Sequence, residues 1–266
     1  MDAYELYQRL EWSFQPETCS DVFPKKGLQL DNTSVIRKVY TATFASSEVM
    51  EQLLKKNASE CLVFTHHPKQ QRKQTQDPPP ELDQKWIDMM KERKISLFSY
   101  HIPLDRNGPF SPGNSLAKAI NAVPFDSFYE QNEVRMGVIC TTPYSTTSEL
   151  QKALTDAVGH PTKLYLYGKE HLRGNRIAIM AGGAKSTSVY EQLSHWETDI
   201  MITGVTDPNT PWVAKIHEAA KNSGVSLLGG THYSTEKFAL IEICRYFNAL
   251  GMPSEFISET PRLVEL

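Results

Sequence analysis

The stretch Cys61-Leu62-Val63-Phe64-Thr65-His66-His67-Pro68 decides the fold of this chain, because an apolar run ends there in two histidines and a proline. Such a run is typical of a buried strand. The chain before it predicts a strand over Val35 to Phe44. A helix over Ser46 to Lys56 follows, with glutamates near its start and lysines at its end. The chain after the stretch predicts a helix over Gln84 to Arg93 and a strand over Ile95 to Tyr100. This alternation predicts a parallel sheet with right-handed crossovers.

The rest of the chain repeats the alternation. A short helix through Ile120, capped by Asn114, leads into Ala122 to Gln131, which we interpret as the bridge to a second lobe. The strands predicted beyond this bridge are Met136 to Cys140, Lys163 to Tyr167, Arg176 to Met180, Asp199 to Thr203 and Val225 to Leu228. The helices predicted there are Thr147 to Val158, Ser186 to Trp196, Pro211 to Asn222 and Ser234 to Leu250. The sequence thus predicts a two-lobed α/β protein with mostly parallel sheets and flanking helices. The lobes are residues 1–125 and 126–266, and the C-terminal segment is expected to pack back on the first lobe.

Composition excludes several functional classes. The 266 residues carry a formal net charge of −3, so electrostatic binding to nucleic acid or to an anionic membrane has no support. The four cysteines form no Cys-x-x-Cys pair, and a disulfide framework is not expected in a chain of this length. We expect no signal peptide and no membrane span, because no apolar run is long enough. We therefore expect a cytoplasmic protein with reduced thiols, and an exposed loop over the polar stretch Lys69 to Pro80.

Three separate strand-like runs each end in side chains that bind divalent metals. Thr65-His66-His67-Pro68 follows the first run, His101-Ile102-Pro103-Leu104-Asp105 follows the run from Ile95, and His232-Tyr233-Ser234-Thr235-Glu236 follows the run from Val225. Imidazoles and carboxylates are the ligands that borderline divalent metals prefer. In an open α/β sheet, ligands occupy the crevice at the carboxyl ends of the strands. The sequence therefore predicts a metal site at the carboxyl ends of three strands.

The spacing within these segments is compatible with shared ligation. Adjacent side chains in a strand point to opposite faces, but this restriction ends where His66 and His67 leave the sheet. His232 and Glu236 lie on one face, about a turn apart, if the last helix begins there. Each segment alone has an ordinary explanation: a solvated His–Glu pair, a histidine bound to loop backbone, or Asp105 as a turn residue. Their joint occurrence at three strand ends favours metal binding.

The same segments, together with Gly27-Leu28-Gln29 and Gly230-Thr231, resemble the signatures of the Nif-three-like proteins. This is a dinuclear-metal family often labelled type-two GTP cyclohydrolase I-like, and the similarity runs in order through nearly the whole chain. The resemblance implies a two-lobed α/β fold and a toroidal homohexamer with two divalent metal ions in each subunit. It also implies metal-ligand roles for His66, His67, Asp105, His232 and Glu236, with Glu236 as the bridge. His101 matches a position near the site.

Parts of the chain depart from the family pattern or leave alternatives open. Val205 stands where relatives often carry an acidic residue, and Pro24-Lys25-Lys26 replaces an acidic or Asn-containing turn. Ala181-Gly182-Gly183-Ala184 lies between a predicted strand and a predicted helix. Glycines in that position either cradle a phosphate or allow tight packing, and tight packing is the commoner case.

A dinuclear metal site points to two classes of function. The leading hypothesis is a metal-dependent hydrolase with a nucleotide-like substrate, because two metals generate hydroxide near neutral pH and polarise the group under attack. If the family label applies, hydroxide opens the imidazole ring of GTP and releases formate. His101 is close enough to be a further ligand or to orient one; if it is not a ligand, it is the candidate catalytic residue, since an imidazole titrates near neutral pH and can shuttle protons. The alternative is a metal-binding scaffold or regulatory protein with protein partners and no turnover. The mixed nitrogen and oxygen ligands suit zinc, iron, manganese, cobalt or nickel.

Overall fold

The computed structural model describes residues 1–71 and 79–266, which form two compact units. Unit 1 contains residues 1–105 and 240–260, and unit 2 contains residues 106–239 and 261–266. This division falls earlier than the boundary predicted after residue 125, and residues 240–260 belong to unit 1. Residues 72–78, which make up most of the loop predicted over Lys69 to Pro80, lie outside the described part of the chain.

The described residues form helices and strands that are numbered here in chain order. They are α1 (Ala3–Phe14), β1 (Gly27–Leu30), β2 (Lys38–Phe44), α2 (Ser47–Lys55), β3 (Cys61–His67), α3 (Gln84–Glu92), β4 (Ile95–Ser99), α4 (Ile102–Asp105), α5 (Pro112–Ala119), β5 (Val123–Gln131), β6 (Val134–Thr141), α6 (Thr147–Val158), β7 (Lys163–Tyr165), β8 (Arg176–Met180), α7 (Ser188–Leu193), β9 (Ile200–Thr203), α8 (Pro211–Asn222), β10 (Ser226–Gly229), α9 (His232–Ala249) and β11 (Ser254–Phe256). The α/β class predicted from the sequence is confirmed.

Unit 1 is built on a five-stranded sheet with the order β1-β4-β3-β2-β11. β2, β3, β4 and β11 are parallel, as the alternating pattern predicts, and β1 joins the edge in the antiparallel direction. Every residue of β3 and β4 is buried, which explains their continuous apolar runs. α2 buries Val49, Met50 and Leu53 in the core that includes residues of these strands. β3 and β4 therefore end at the same edge of a rigid sheet.

Unit 2 contains a six-stranded sheet with the order β5-β6-β8-β9-β10-β7. The central strands β8, β9 and β10 are parallel, whereas β5, β6 and β7 pair in the antiparallel direction. The prediction of a bridge over Ala122 to Gln131 is wrong, because Val123–Gln131 form β5 and pair with β6. Most of this edge strand is exposed or half-buried, so it lacks the apolar pattern that identifies a buried strand.

The starts of two helices differ from the predictions. Ser111 is the N-cap of α5, since its hydroxyl accepts the N–H of Asn114, which was the predicted cap. The last helix begins at His232 rather than at Ser234. This earlier start places both His232 and Glu236 on helical backbone.

The four cysteines all lie among the described residues and are buried free thiols. Within the described ranges, no helix combines the length and the apolar character needed to cross a membrane.

Candidate metal centre

The histidine cluster, defined here as His66, His67, His101 and Asp105, lies in unit 1 where β3 and β4 end. Pairing between β3 and β4 ends at Thr65, so both adjacent histidines lie beyond it, although β3 continues beside β2. The ring centroids of His66 and His67 are 4.4 Å apart, and the ring of His101 lies 5.1 Å from the first and 5.0 Å from the second. Each imidazole offers one ligand nitrogen, and all three nitrogens lie within 4.8 Å of one another.

The tautomer of His66 is set by the backbone beyond β4. Its Nδ1–H donates to the carbonyl oxygen of Tyr100 at 3.0 Å, and a carbonyl can only accept. In the neutral ring, Nε2 then carries a lone pair, which lies 3.4 Å from Asp105 Oδ1. The two side chains are 0% and 13% exposed. Two acceptor atoms at this distance, one buried and one half-buried, attract a proton or a cation.

Asp105 reaches the cluster because the chain makes one helical turn after β4. The N–H groups of Leu104 and Asp105 donate to the carbonyl oxygen of His101 at 2.9 and 3.0 Å. This turn, α4, places the side chains of His101 and Asp105 on one face, with 3.8 Å between Nε2 and Oδ2. A single carboxylate therefore lies beside two imidazoles.

Sequence reasoning missed Asp21, whose carboxylate orients His101. Asp21 Oδ1 accepts the Nδ1–H of His101 at 2.9 Å. The N–H groups of Phe23 and Ile102 donate to the same carboxylate at 3.1 and 2.9 Å. Burial would raise the pKa of Asp21, but the hydrogen bond and charge of His101, with these backbone donors, bring that pKa below its usual value. A carboxylate on Nδ1 leaves Nε2 of His101 as the nitrogen that faces the cluster.

The loop that carries Asp21 explains the departure at Pro24-Lys25-Lys26. The ammonium group of Lys26 donates to the carbonyl oxygens of Pro16 and Cys19, and so closes the loop. No strand end or helical spacing marks Asp21 in the sequence. The available signal is the Pro24-Lys25-Lys26 turn itself. It lacks the acidic residue typical of the family, and Asp21 lies just upstream of it.

The ring of His67 stacks on the ring of Phe44, and the buried carboxyl group of Glu259 holds the backbone of Phe44. Phe44 is the neighbour of His67 in β2, and the two ring centroids lie 4.4 Å apart with an interplanar angle of 8°. The N–H groups of Thr43 and Phe44 donate to Glu259 Oε2 at 3.0 and 3.1 Å, and the hydroxyl of Ser46 donates to Oε1 at 2.8 Å. Burial raises the pKa of Glu259 to about 8, although these hydrogen bonds act in the opposite direction.

The helix pair, defined here as His232 and Glu236, lies in unit 2 at the start of α9. β10 ends at Gly229, so the pair follows a strand end, as predicted. The two side chains lie on one face of the helix, with 3.1 Å between His232 Nε2 and Glu236 Oε1. The Glu236 side chain is 5% exposed and that of His232 is 23% exposed. This burial argues against the ordinary solvated His–Glu pair, because carboxylates are rarely buried unless they are paired or bind a metal.

Two glycines leave room for the helix pair. Gly182 has φ +70°, and a Cβ added there would collide with Glu236 Oε1 and lie 3.1 Å from His232 Nε2. A Cβ added at Gly204 would lie 2.7 Å from the Cα of His232. The N–H of Gly182 donates to Thr235 Oγ1 at 3.0 Å and is therefore committed within the protein. Tight packing, and not a phosphate cradle, is the interpretation of Ala181-Gly182-Gly183-Ala184 that these contacts support.

The residue before the helix pair adopts a strained backbone conformation. Thr231 has φ 64°, and a left-handed conformation costs a β-branched residue roughly 1–2 kcal/mol. Its hydroxyl oxygen accepts the N–H of Ser234 at 3.2 Å and so caps the helix. Glu265 Oε2 accepts the N–H of His232 at 2.8 Å. Val205 supplies no carboxylate here. The buried carboxylate that accepts the N–H of His232 is that of Glu265, in the C-terminal turn Leu263–Glu265.

Each predicted ligand thus lies beside another predicted ligand of its own unit. His66, His67 and Asp105 come together in unit 1, and His232 and Glu236 come together in unit 2. That the two groups serve the same ions stays a prediction.

Known proteins match this chain in sequence and fold. A protein named GTP cyclohydrolase 1 type 2 homolog from Borreliella burgdorferi is 25% identical over 222 residues, which cover 83% of this chain and 82% of the relative. A protein of the same name from Chlamydia trachomatis is 26% identical over 264 residues, 98% of each chain. The solved structure of protein ybgI, of unknown function, covers 98% of this chain and 100% of its own with a TM-score of 0.81 at 20% identity. The family model for Duf34/NIF3 (NGG1p interacting factor 3) matches residues 1–261. The resemblance inferred from the motifs is confirmed, and the chain belongs to the Duf34/NIF3 family.

Proposed function

We propose that this protein is a dinuclear-metal-dependent hydrolase, in which the histidine cluster and the helix pair supply the ligands of two divalent metal ions. The proposed ligands are His66, His67, Asp105, His232 and Glu236. The observation that carries the proposal is the approach of the imidazole nitrogens of His66 and His67, two of the proposed ligands, to within 4.8 Å of each other and of the nitrogen of His101. Imidazole nitrogens this close together can bind a shared divalent cation.

The donor groups fit borderline divalent cations. Imidazole nitrogens and carboxylate oxygens together suit zinc, iron, manganese, cobalt or nickel. His66 Nε2 and Asp105 Oδ1 face each other at 3.4 Å, a distance that a cation bound to both atoms would satisfy. The absence of a side chain at Gly182 lets the Glu236 carboxylate occupy the space beside it. The first of these observations supports metal ligation over a purely structural role for His66 and Asp105.

The residues around the ligands supply orientation and proton transfer. When bound, two such ions lower the pKa of water to near neutrality and polarise the group under attack. Asp21 accepts the Nδ1–H of His101, so Nε2 is the nitrogen that can take a proton from the attacking water and return it to the leaving group. We therefore propose His101 as the catalytic acid–base residue and not as a ligand.

The proposed substrate class comes from the relatives. Two of them carry the name GTP cyclohydrolase 1 type 2 homolog, and we take from it a purine nucleotide as the substrate. The proposed reaction opens the imidazole ring and releases formate. We further propose a homohexamer and a cytoplasmic location, where the four buried thiols stay reduced. Light scattering that gives the mass of a single chain would refute the hexamer.

Elemental analysis combined with a screen of GTP and other nucleotides tests the proposed function. We expect two divalent metal ions per chain, and loss of turnover on chelation before the fold melts. Glu236→Gln keeps the size of the side chain but removes the charge that offsets the cations, so metal content and turnover should both fall. His195→Ala is the matched control, because it removes an exposed imidazole that belongs to neither group. It should leave both quantities unchanged.

The family description contains the words "interacting factor", which favours a second candidate function. A metal-binding scaffold or regulatory protein would use the ions to stabilise its fold. Its ions should be fully coordinated by protein groups, and a chelator should lower the melting temperature with no activity to lose. A metal-replete protein that turns over no nucleotide would favour this scaffold. A protein that takes up no divalent metal would refute both candidates.

A further inference from the structure

The C-terminal turn Leu263–Glu265 is anchored by Glu265. This residue is 6% exposed, whereas the two residues before it are 48% and 56% exposed, so apolar burial does not hold the turn. The carbonyl oxygen of Glu265 accepts the N–H groups of Thr206 and Asp207 at 2.6 and 2.9 Å. Its carboxylate accepts the N–H of His232 at 2.8 Å. Main chain and side chain of one residue thus connect three backbone N–H groups of unit 2.

The contact with His232 satisfies a group that the helix itself leaves without a partner. The first N–H groups of a helix have no acceptor within that helix, and in α9 the first of them belongs to a proposed metal ligand. The residue before it, Thr231, keeps its left-handed conformation only while the surrounding structure holds it there. Ser234 and Thr235 hold the hydroxyl and carbonyl groups of Thr231, whereas the Glu265 carboxylate acts on the N–H of His232 itself.

We propose that Glu265 is a positioning residue whose carboxylate fixes the backbone of His232, so that its imidazole stays beside Glu236. The inference rests on the proposed metal function but adds a residue that lies outside every metal-binding motif. The carboxylate also lies at the N-terminal, positive end of α9, where negative charge is stabilised. Glu265 therefore contributes a hydrogen bond and a favourable charge at the same point.

Two variants of the full-length protein separate these contributions. Glu265→Ala removes the acceptor, and Glu265→Gln keeps an oxygen that can accept the His232 N–H. The matched control is Leu263→Ala in the same turn, because Leu263 is exposed. Amide hydrogen exchange of His232 is measured in the metal-free protein, and Zn²⁺ affinity is measured by competition with a chelator.

We expect Glu265→Ala to accelerate exchange of the His232 amide and to weaken Zn²⁺ binding roughly 10- to 100-fold. Glu265→Gln should stay within about threefold of the wild type in both readouts, because a neutral acceptor replaces most of the interaction. Leu263→Ala should change neither. Unchanged exchange in Glu265→Ala would overturn the inference whatever the zinc result, and so would faster exchange with unchanged zinc affinity. A wild-type protein that binds no Zn²⁺ would sink the proposed metal function instead, and the exchange data would still decide whether Glu265 holds His232.

Discussion

The histidine cluster in unit 1 and the helix pair in unit 2 are supported in different ways. In unit 1, a different residue contacts each imidazole. The carbonyl of Tyr100 accepts from His66, the ring of Phe44 stacks on His67, and the carboxylate of Asp21 accepts from His101. In unit 2, Glu265 holds the backbone of His232, but the pair also depends on the absence of side chains at Gly182 and Gly204 and on a strained residue, Thr231. The first group is oriented by added contacts, and the second is fitted into a space that the backbone leaves.

This difference predicts how each group responds to substitution. Contacts made by side chains are removed one at a time, and the remaining partners continue to hold the group. A space left by a glycine does not accommodate an added side-chain atom, because protein interiors are closely packed and have low compressibility. We therefore expect graded losses in unit 1 and abrupt losses in unit 2.

The largest expected effect is that of Gly182→Ala. The added methyl group displaces the carboxylate of Glu236, which is the flexible end of that side chain, so the collision falls mainly on the proposed ligand. Metal binding should weaken by about 100-fold, at the upper end of such effects, whereas the positive φ should cost roughly 1 kcal/mol of stability. Zinc titration and thermal melting measure the two effects separately.

Gly224→Ala is the matched control for this prediction. Gly224 also has a positive φ, +65°, but no heavy atom lies within 4 Å of an added Cβ. It should show the same loss of stability as Gly182→Ala and normal metal binding. Equal metal affinity in the two variants would show that the space beside Glu236 has no role in ligation, and the contrast between the units would fail.

The sequence identified the members of both groups but not the residues that support them. His66, His67 and His232 follow strand-like runs, and a run of apolar residues with donors at its end is a local signal. Asp21 and Glu265 act on residues that are distant in sequence, so no spacing rule connects them with His101 or His232. Their roles follow from tertiary structure alone.

The fold shows the same limit of local patterns. Apolar runs predict the buried strands β3 and β4, whereas few residues of the edge strand β5 are buried, so its sequence has no such run and does not predict a strand. Gly182 had two interpretations in the sequence, a phosphate cradle or tight packing. Only the position of Glu236 beside it distinguishes them.

A smaller effect is expected for Asp21→Asn in unit 1. The carboxylate accepts three N–H groups, and an amide cannot accept all of them, because its NH₂ end must face a donor. His101 should lose its fixed tautomer, and we expect turnover or metal affinity to fall roughly 10-fold, at the lower end of the effects of such supporting residues. Nitrogen NMR of the His101 side chain measures the tautomer. Asp88→Asn, at an exposed site on α3, is the control. If His101 kept its wild-type tautomer in Asp21→Asn, Asp21 would not be the residue that orients it.

The smallest expected effect is that of Glu259→Gln on the way the stability of the fold changes with pH. The folded-state pKa of Glu259 is raised by burial from 4.5 to about 8, so the folded protein keeps a proton that the unfolded chain releases. That stabilisation is complete below about 4.5 and is lost as the pH rises through about 8. One proton allows the unfolding free energy to change by at most about 1.4 kcal/mol per pH unit. Glutamine does not titrate, so thermal melts of the variant should vary less over this range, whereas the exposed control Glu51→Gln should follow the wild type. If Glu259→Gln kept the wild-type slope, the carboxyl group would be ionised throughout. The support beneath Phe44 and His67 would then be a fixed charge and not a proton-dependent contact.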